Sequence, residues 1–156
     1  MPGIVVGVDG SEHSQFALDW ALDEADLRKA PLTVLTVSPL VTGIYGLGYA
    51  PADFFPAEEQ SRLQAEKASE QLLGQAIERR GRTPASAVTV RAVCGLAADE
   101  LINASAGADL LIIGARGAGG FARLVMGSVS TQVTHHAQCP VAVVPGGRGT
   151  RPGCAP

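Results

Sequence analysis

The sequence predicts a single three-layer α/β domain built on a parallel sheet. Three observations carry that expectation: short apolar, β-branched runs recur along the chain, helical stretches separate them, and glycine-containing turns follow several of the runs. A strand covered on both faces reads as a continuous apolar run rather than as an alternation. Right-handed crossovers between such strands put most strand C-terminal ends on one edge, where ligands commonly sit.

The first strand is read at Ile4-Val5-Val6-Gly7-Val8 and ends at Asp9-Gly10-Ser11. A helix follows from Ser11 or Ser14, either of which can cap its first turn; Phe16, Ala17, Trp20, Ala21, Ala25 and Leu27 are expected to supply much of its apolar surface. Pro31 breaks the chain before a β-rich second strand at 32–37. Residues 39–56 mix Pro39, Gly43, Gly46, Gly48, Pro51 and Pro56 with Ile44, Tyr45, Leu47, Tyr49, Phe54 and Phe55. That mixture argues against a regular element and against a fully solvated linker. Two readings stand for it: a cover over a bound base, or a loop packed on its own sheet.

A long polar helix is expected from 57 to about 80, with Leu63, Leu72, Leu73 and Ile77 inward and Gly81 as its stop. The third strand is read at 88–93, a shorter helix at about 96–106, and the fourth strand at 109–113. The last helix begins near Ser128 and the fifth strand covers 140–144. Residues 1–145 form the domain, and the Gly/Pro-rich 146–156 read as a flexible tail.

Composition narrows the class. With 156 residues, 46% hydrophobic and 17% charged, the chain suits one domain with a substantial core and is neither disordered nor a coiled coil. A net charge of −3 without a Lys/Arg cluster gives no footprint for nucleic acid. No run approaches the roughly 20 apolar residues of a membrane span, and the start lacks a signal-peptide pattern; a cytoplasmic protein is expected. Cys94 and Cys139 adjoin strands and read as small core or boundary residues, while Cys154 lies in the tail; no metal-ligand spacing appears.

The chemistry-bearing segment follows the fourth strand. Gly114 and Gly117 can adopt positive φ and let the main chain approach a ligand closely. Successive N–H groups in such a turn form an anion-binding concavity. At Gly127-Ser128-Val129-Ser130 the first N–H groups of a helix lack internal acceptors and favour an anion. Ser128 and Ser130 can add hydroxyl donors, and Arg116 charge. A purely structural reading stands beside this one: glycines for tight packing and Ser128 as a cap.

The spacing Gly114-x2-Gly117-x9-Gly127-Ser128, the opening from Ile4 to Ser14, and the ending Cys139-Pro140-Val141-Ala142-Val143-Val144 together resemble the universal stress protein family, in its ATP-binding branch, over about residues 3–145. The resemblance implies an adenine nucleotide alpha-hydrolase-like fold with strand order 3-2-1-4-5, a homodimer through the fifth strand, and a nucleotide at the switch point between strands one and four. It gives Asp9 a ribose or adenosine contact and sets Val41 beside the base. Gly114, Arg116 and Gly117 flank the phosphates, and Gly127, Ser128, Val129 and Ser130 complete their cradle. ATP, with Mg2+ held by phosphates and water near Ser128 or Asp9, is the implied ligand.

Binding is clearer than catalysis in these residues. The lysine of a P-loop is missing, as is a G-x-G-x-x-G after the first strand. His13 is expected on an exposed first helical turn, and His135-His136 near the end of the fourth helix. The leading expectation is an ATP-binding stress-response or regulatory module acting on a downstream protein the sequence does not identify. A weak ATPase or phosphotransfer enzyme and a nucleotide-independent dimerisation scaffold are the alternatives.

Overall fold

The computed structural model describes residues 3–40, 54–117 and 126–146. Five strands and four helices alternate: β1 (Ile4–Val8), α1 (Glu12–Arg28), β2 (Leu32–Ser38), α2 (Phe54–Arg80), β3 (Val88–Cys94), α3 (Ala97–Ser105), β4 (Leu110–Gly114), α4 (Ser128–His136) and β5 (Val141–Val144). The strands form one sheet in the order β3-β2-β1-β4-β5. All four pairings are parallel, and Val6 of β1 stands between Val34 of β2 and Ile112 of β4. The expected fold class and strand order are those found.

Alternation along the central strands divides the core into two layers. Ile4, Val6, Val8, Leu32, Val34, Leu110 and Ile112 face α1 and α2, packing on Ala17, Leu18, Ala21, Leu22, Ala25 and Ala76. Leu35, Leu111 and Ile113 face the other way, against Leu101 of α3 and Val133 of α4. Both faces are thereby covered at the sheet centre, which is why β1 and β4 are apolar throughout.

Several inward positions differ from those expected. Phe16 and Trp20 are each 39% exposed and Leu27 is 77% exposed, whereas Leu18 and Leu22 are fully buried. The reason is steric: α1 lies close to the sheet on an Ala17-Leu18-Ala21-Leu22-Ala25 stripe, and the larger rings sit on its other side. Leu63 is likewise exposed, while Ala76 and Ser69 are buried and Leu72 and Leu73 pack against the core as expected. The long helix starts at Phe54 rather than at 57. Ser11 is the N-cap of α1, accepting from the Ser14 N–H, and Gly81 stops α2 with φ +66.

At the sheet end opposite the β1 and β4 termini, charges join α1 to α2. Arg80, only 7% exposed, donates to Asp23 at 2.9 Å and to Asp26 at 2.7 Å, and Arg82 reaches Asp23 at 3.0 Å. Asp26 also accepts from the N–H groups of Ala85 and Ser86. The Arg80 hydrogen bond, then that of the Ala85 N–H, holds the Asp26 carboxyl below its ordinary pKa. For Asp23, burial pushes the pKa up, but Arg80 and Arg82 outweigh it and the net displacement is downward.

Among the described residues, no helix is long and apolar enough to cross a membrane.

Candidate nucleotide site

The C-terminal ends of β1 and β4 diverge to neighbours on opposite sides, and the crevice between them opens into a cavity of about 480 Å³. Asp9, Gly114, Arg116, Gly117, Gly127, Ser128, Val129 and Ser130 all line it. Val41, the remaining residue singled out in the sequence, lies outside the described residues. The cavity wall also includes Gly7, Val8, Ser14, Leu35, Val37, Ala97, Leu101 and Ile113. Those residues were not singled out from the sequence. For four of them the signal was parity: Leu35 and Val37 share one face of β2, as Gly7 and Ile113 share the corresponding face of their own strands.

Asp9 is held by its own turn. Its Oδ1 accepts from the Ser11 N–H at 2.9 Å and from the Ser11 hydroxyl, and the Asp9 N–H is 3.4 Å from Ser14 Oγ. The other carboxylate oxygen lies over Gly117, where a Cβ would stand 2.7 Å from Oδ2. One carboxylate therefore spans from the end of β1 to the turn after β4.

The glycines do different work from that expected. Neither Gly114 nor Gly117 has a positive φ; among the described glycines Gly10, Gly81 and Gly95 do, at +81°, +66° and +159°. Gly114 and Gly117 are instead places of close approach, the first against His13 and the second against Asp9. Gly7 plays the same part toward α3, since its Cβ would stand 2.7 Å from Leu101 Cδ2.

The start of α4 is built from the β4 turn. The Gly127 N–H donates to the Ala115 carbonyl at 2.8 Å, and the Gly127 carbonyl accepts from the Thr131 N–H and hydroxyl. Among the described residues no side chain caps α4, and its first turn lines the cavity with Ser128 exposed. Ser130 corrects an expectation. Its buried hydroxyl donates to the carbonyls of Gly114 and Ala115, at 2.9 and 3.0 Å, and is not a donor toward the cavity. What Ser130 can offer an anion is its main-chain N–H.

His13 is half-buried rather than exposed: its Nδ1 accepts from the Gly146 N–H at 2.8 Å, joining α1 to the chain just past β5. His135 and His136 occupy the last turn of α4, and Cys94 and Cys139 are half-buried. Among the described residues, no three His, Cys, Asp or Glu side chains come together. Asp9 and Arg116 are the ionisable side chains among the described residues of the cavity wall.

The sequence and the fold both match known proteins. Residues 2–145 match the model of the Universal stress protein family. A universal stress protein of Mycobacterium tuberculosis is 36% identical over 151 residues, covering 92% of this chain and 48% of that protein. The chain thus spans about half the length of such mycobacterial relatives. Universal stress protein YxiE of Bacillus subtilis is 32% identical over 147 residues, covering 90% of this chain and 97% of its own. Among solved structures, a universal stress protein in complex with cAMP is 26% identical with a TM-score of 0.59, covering 92% of this chain and 95% of that one.

Proposed function

Because the chain belongs to the universal stress protein family, we propose that it is an ATP-binding stress-response or regulatory module of the cytoplasm, whose nucleotide occupancy alters a loop or partner surface. One observation carries this reading: every described residue that the sequence motif singles out lines a single cavity. The cavity has two characters. Leu35, Val37, Ala97 and Leu101 form an apolar wall suited to a base, and the uncapped start of α4 with Arg116 suits phosphates. Asp9 lies between the strand ends, positioned to accept from a ribose hydroxyl. A relative that holds cAMP supports an adenine nucleotide as the ligand class. Magnesium, where ATP brings it, would be held by phosphates and water, with Ser128 or Asp9 nearby.

Calorimetric titration of nucleotide-free protein tests the reading. ATP is expected to bind, and Ser128→Ala to weaken it; parallel titrations with AMP and cAMP separate ATP from other adenine nucleotides. No binding by folded wild type rejects the proposal.

A second reading, slow ATP hydrolysis, rests on Asp9 as the one carboxylate among the described wall residues. That carboxylate already accepts two hydrogen bonds from Ser11, which hold it to its own turn. Single-turnover phosphate release at saturating ATP decides this, and a rate equal to buffer removes hydrolysis. The proposed homodimer forms through β5, which is an edge strand of the sheet. Light scattering with and without ATP distinguishes a constitutive dimer from a ligand-controlled one, and a monomer in both states rejects either.

A further inference from the structure

We propose that a second cavity, on the α3 side of the sheet toward the starts of β1 and β2, binds a small zwitterion of the amino-acid type. This cavity has a volume of about 410 Å³ and is lined by residues of β1, β2, β3 and α3, including Arg91, Glu100, Asn103 and Thr33. Leu35 is common to its wall and to that of the first cavity, so the two are neighbours along one sheet face.

Arg91 motivates the proposal. The described arginines 28, 62, 79, 80 and 82 each pair with a carboxylate, at 2.5–3.1 Å. Arg91 pairs with none among the described residues; it stands on the edge strand β3, in register with Leu35 of β2 and so on the same face of the sheet. Its guanidinium is exposed and lines the cavity, presenting a planar fork suited to a carboxylate.

Glu100 sets the second half of the recognition. Its side chain lies against Gly95: a Cβ there would stand 2.9 Å from both Cγ and Oε1 of Glu100. A carboxylate in the same wall opposes a dianion such as phosphate and accepts from an ammonium group. Asn103 and Thr33 add neutral donors and acceptors, and Val5, Leu35 and Val93 supply an apolar floor. One positive group, one negative group and an apolar floor match a molecule that carries the complementary pair on a short apolar frame. Attraction of Glu100 to the start of α3 explains a carboxylate in that turn, but it leaves the arginine in the same wall without a role.

The test is calorimetric titration of the nucleotide-free full chain with each common L-amino acid at millimolar concentration, with acetate, butylamine and inorganic phosphate as controls. At least one amino acid is expected to bind saturably, tenfold or more tighter than any control. Arg91→Gln and Glu100→Gln should each weaken it at least tenfold while far-UV circular dichroism stays unchanged. Three results overturn the proposal: no amino acid binds; a control binds as tightly as the best amino acid; or either variant binds like wild type. Because no nucleotide is present, these outcomes are independent of the ATP reading.

Discussion

Gly114 lies so close to His13 that a Cβ built on the glycine would stand 2.8 Å from the histidine carbonyl carbon and 3.0 Å from its oxygen. The His13 Cβ would be 2.9 Å away, so the end of β4 and the first turn of α1 meet at the histidine main chain and the root of its side chain. Gly114→Ala should destabilise the fold by about 1–3 kcal/mol, as overpacking of a rigid contact does. Urea unfolding measures it. Since two of the three contacts are main-chain atoms, His13→Gly in the same chain should not restore the loss; full restoration would show that the His13 Cβ was the obstacle.

Gly127 provides the contrast. Its φ of −76° is open to any residue, and a Cβ would meet Arg116 Cα at 3.5 Å, an ordinary contact. Gly127→Ala should cost no more than about 1 kcal/mol, the range of a poorer N-cap. If phosphates lie at the start of α4, the same variant should weaken ATP binding tenfold or more. Paired unfolding and calorimetric titrations check both parts, and unchanged affinity would move the phosphates elsewhere.

Ser130→Ala removes one hydroxyl that serves two carbonyls beneath the turn. The expected loss is about 1–2 kcal/mol, because the Gly114 and Ala115 carbonyls lose their shared donor in a buried place. Ser128→Ala, at an exposed position, should leave the unfolding midpoint nearly unchanged. Denaturant titration of the two variants side by side distinguishes the structural serine from the cavity-facing one.

Asp26 sets an acid limit on stability. Its folded-state pKa lies below the unfolded carboxylate value of about 3.9. A depressed pKa contributes stability above the unfolded value, and that contribution disappears as pH falls through the folded value. Asp26→Asn should thus be less stable than wild type at neutral pH, and the gap should close below about pH 4. Urea midpoints measured from pH 7 down to pH 3 check the sign; a gap that widens in acid contradicts it.

The parallel α/β class and half of the cavity wall were legible in local patterns, whereas the strand order was legible only through the family resemblance. Ile4 to Val8 and Leu110 to Ile113 are apolar without alternation, which marks strands buried on both faces, and the Gly114–Ser130 spacing placed a turn and a helix start after one of them. The inward face of α1 was legible only in part. Ala17, Ala21 and Ala25 are buried as expected, but Phe16, Trp20 and Leu27 are exposed, and Leu18 and Leu22, which fill the stripe, were not singled out. The reason for Gly114 was hidden too, since it depends on His13 across the fold and not on φ. Nor could the chain order reveal that Arg80 reaches Asp23 and Asp26, residues 57 and 54 positions away.

The hydrogen bond from Gly146 to His13 makes the chain's departure from the sheet a mechanical tether. A load on whatever follows Gly146 is borne first by that bond, then by the first turn of α1. The next residue there, Ser14, forms part of the cavity wall and holds the turn of Asp9. Tension on the outgoing chain and the shape of the cavity are thus connected through a single helical turn.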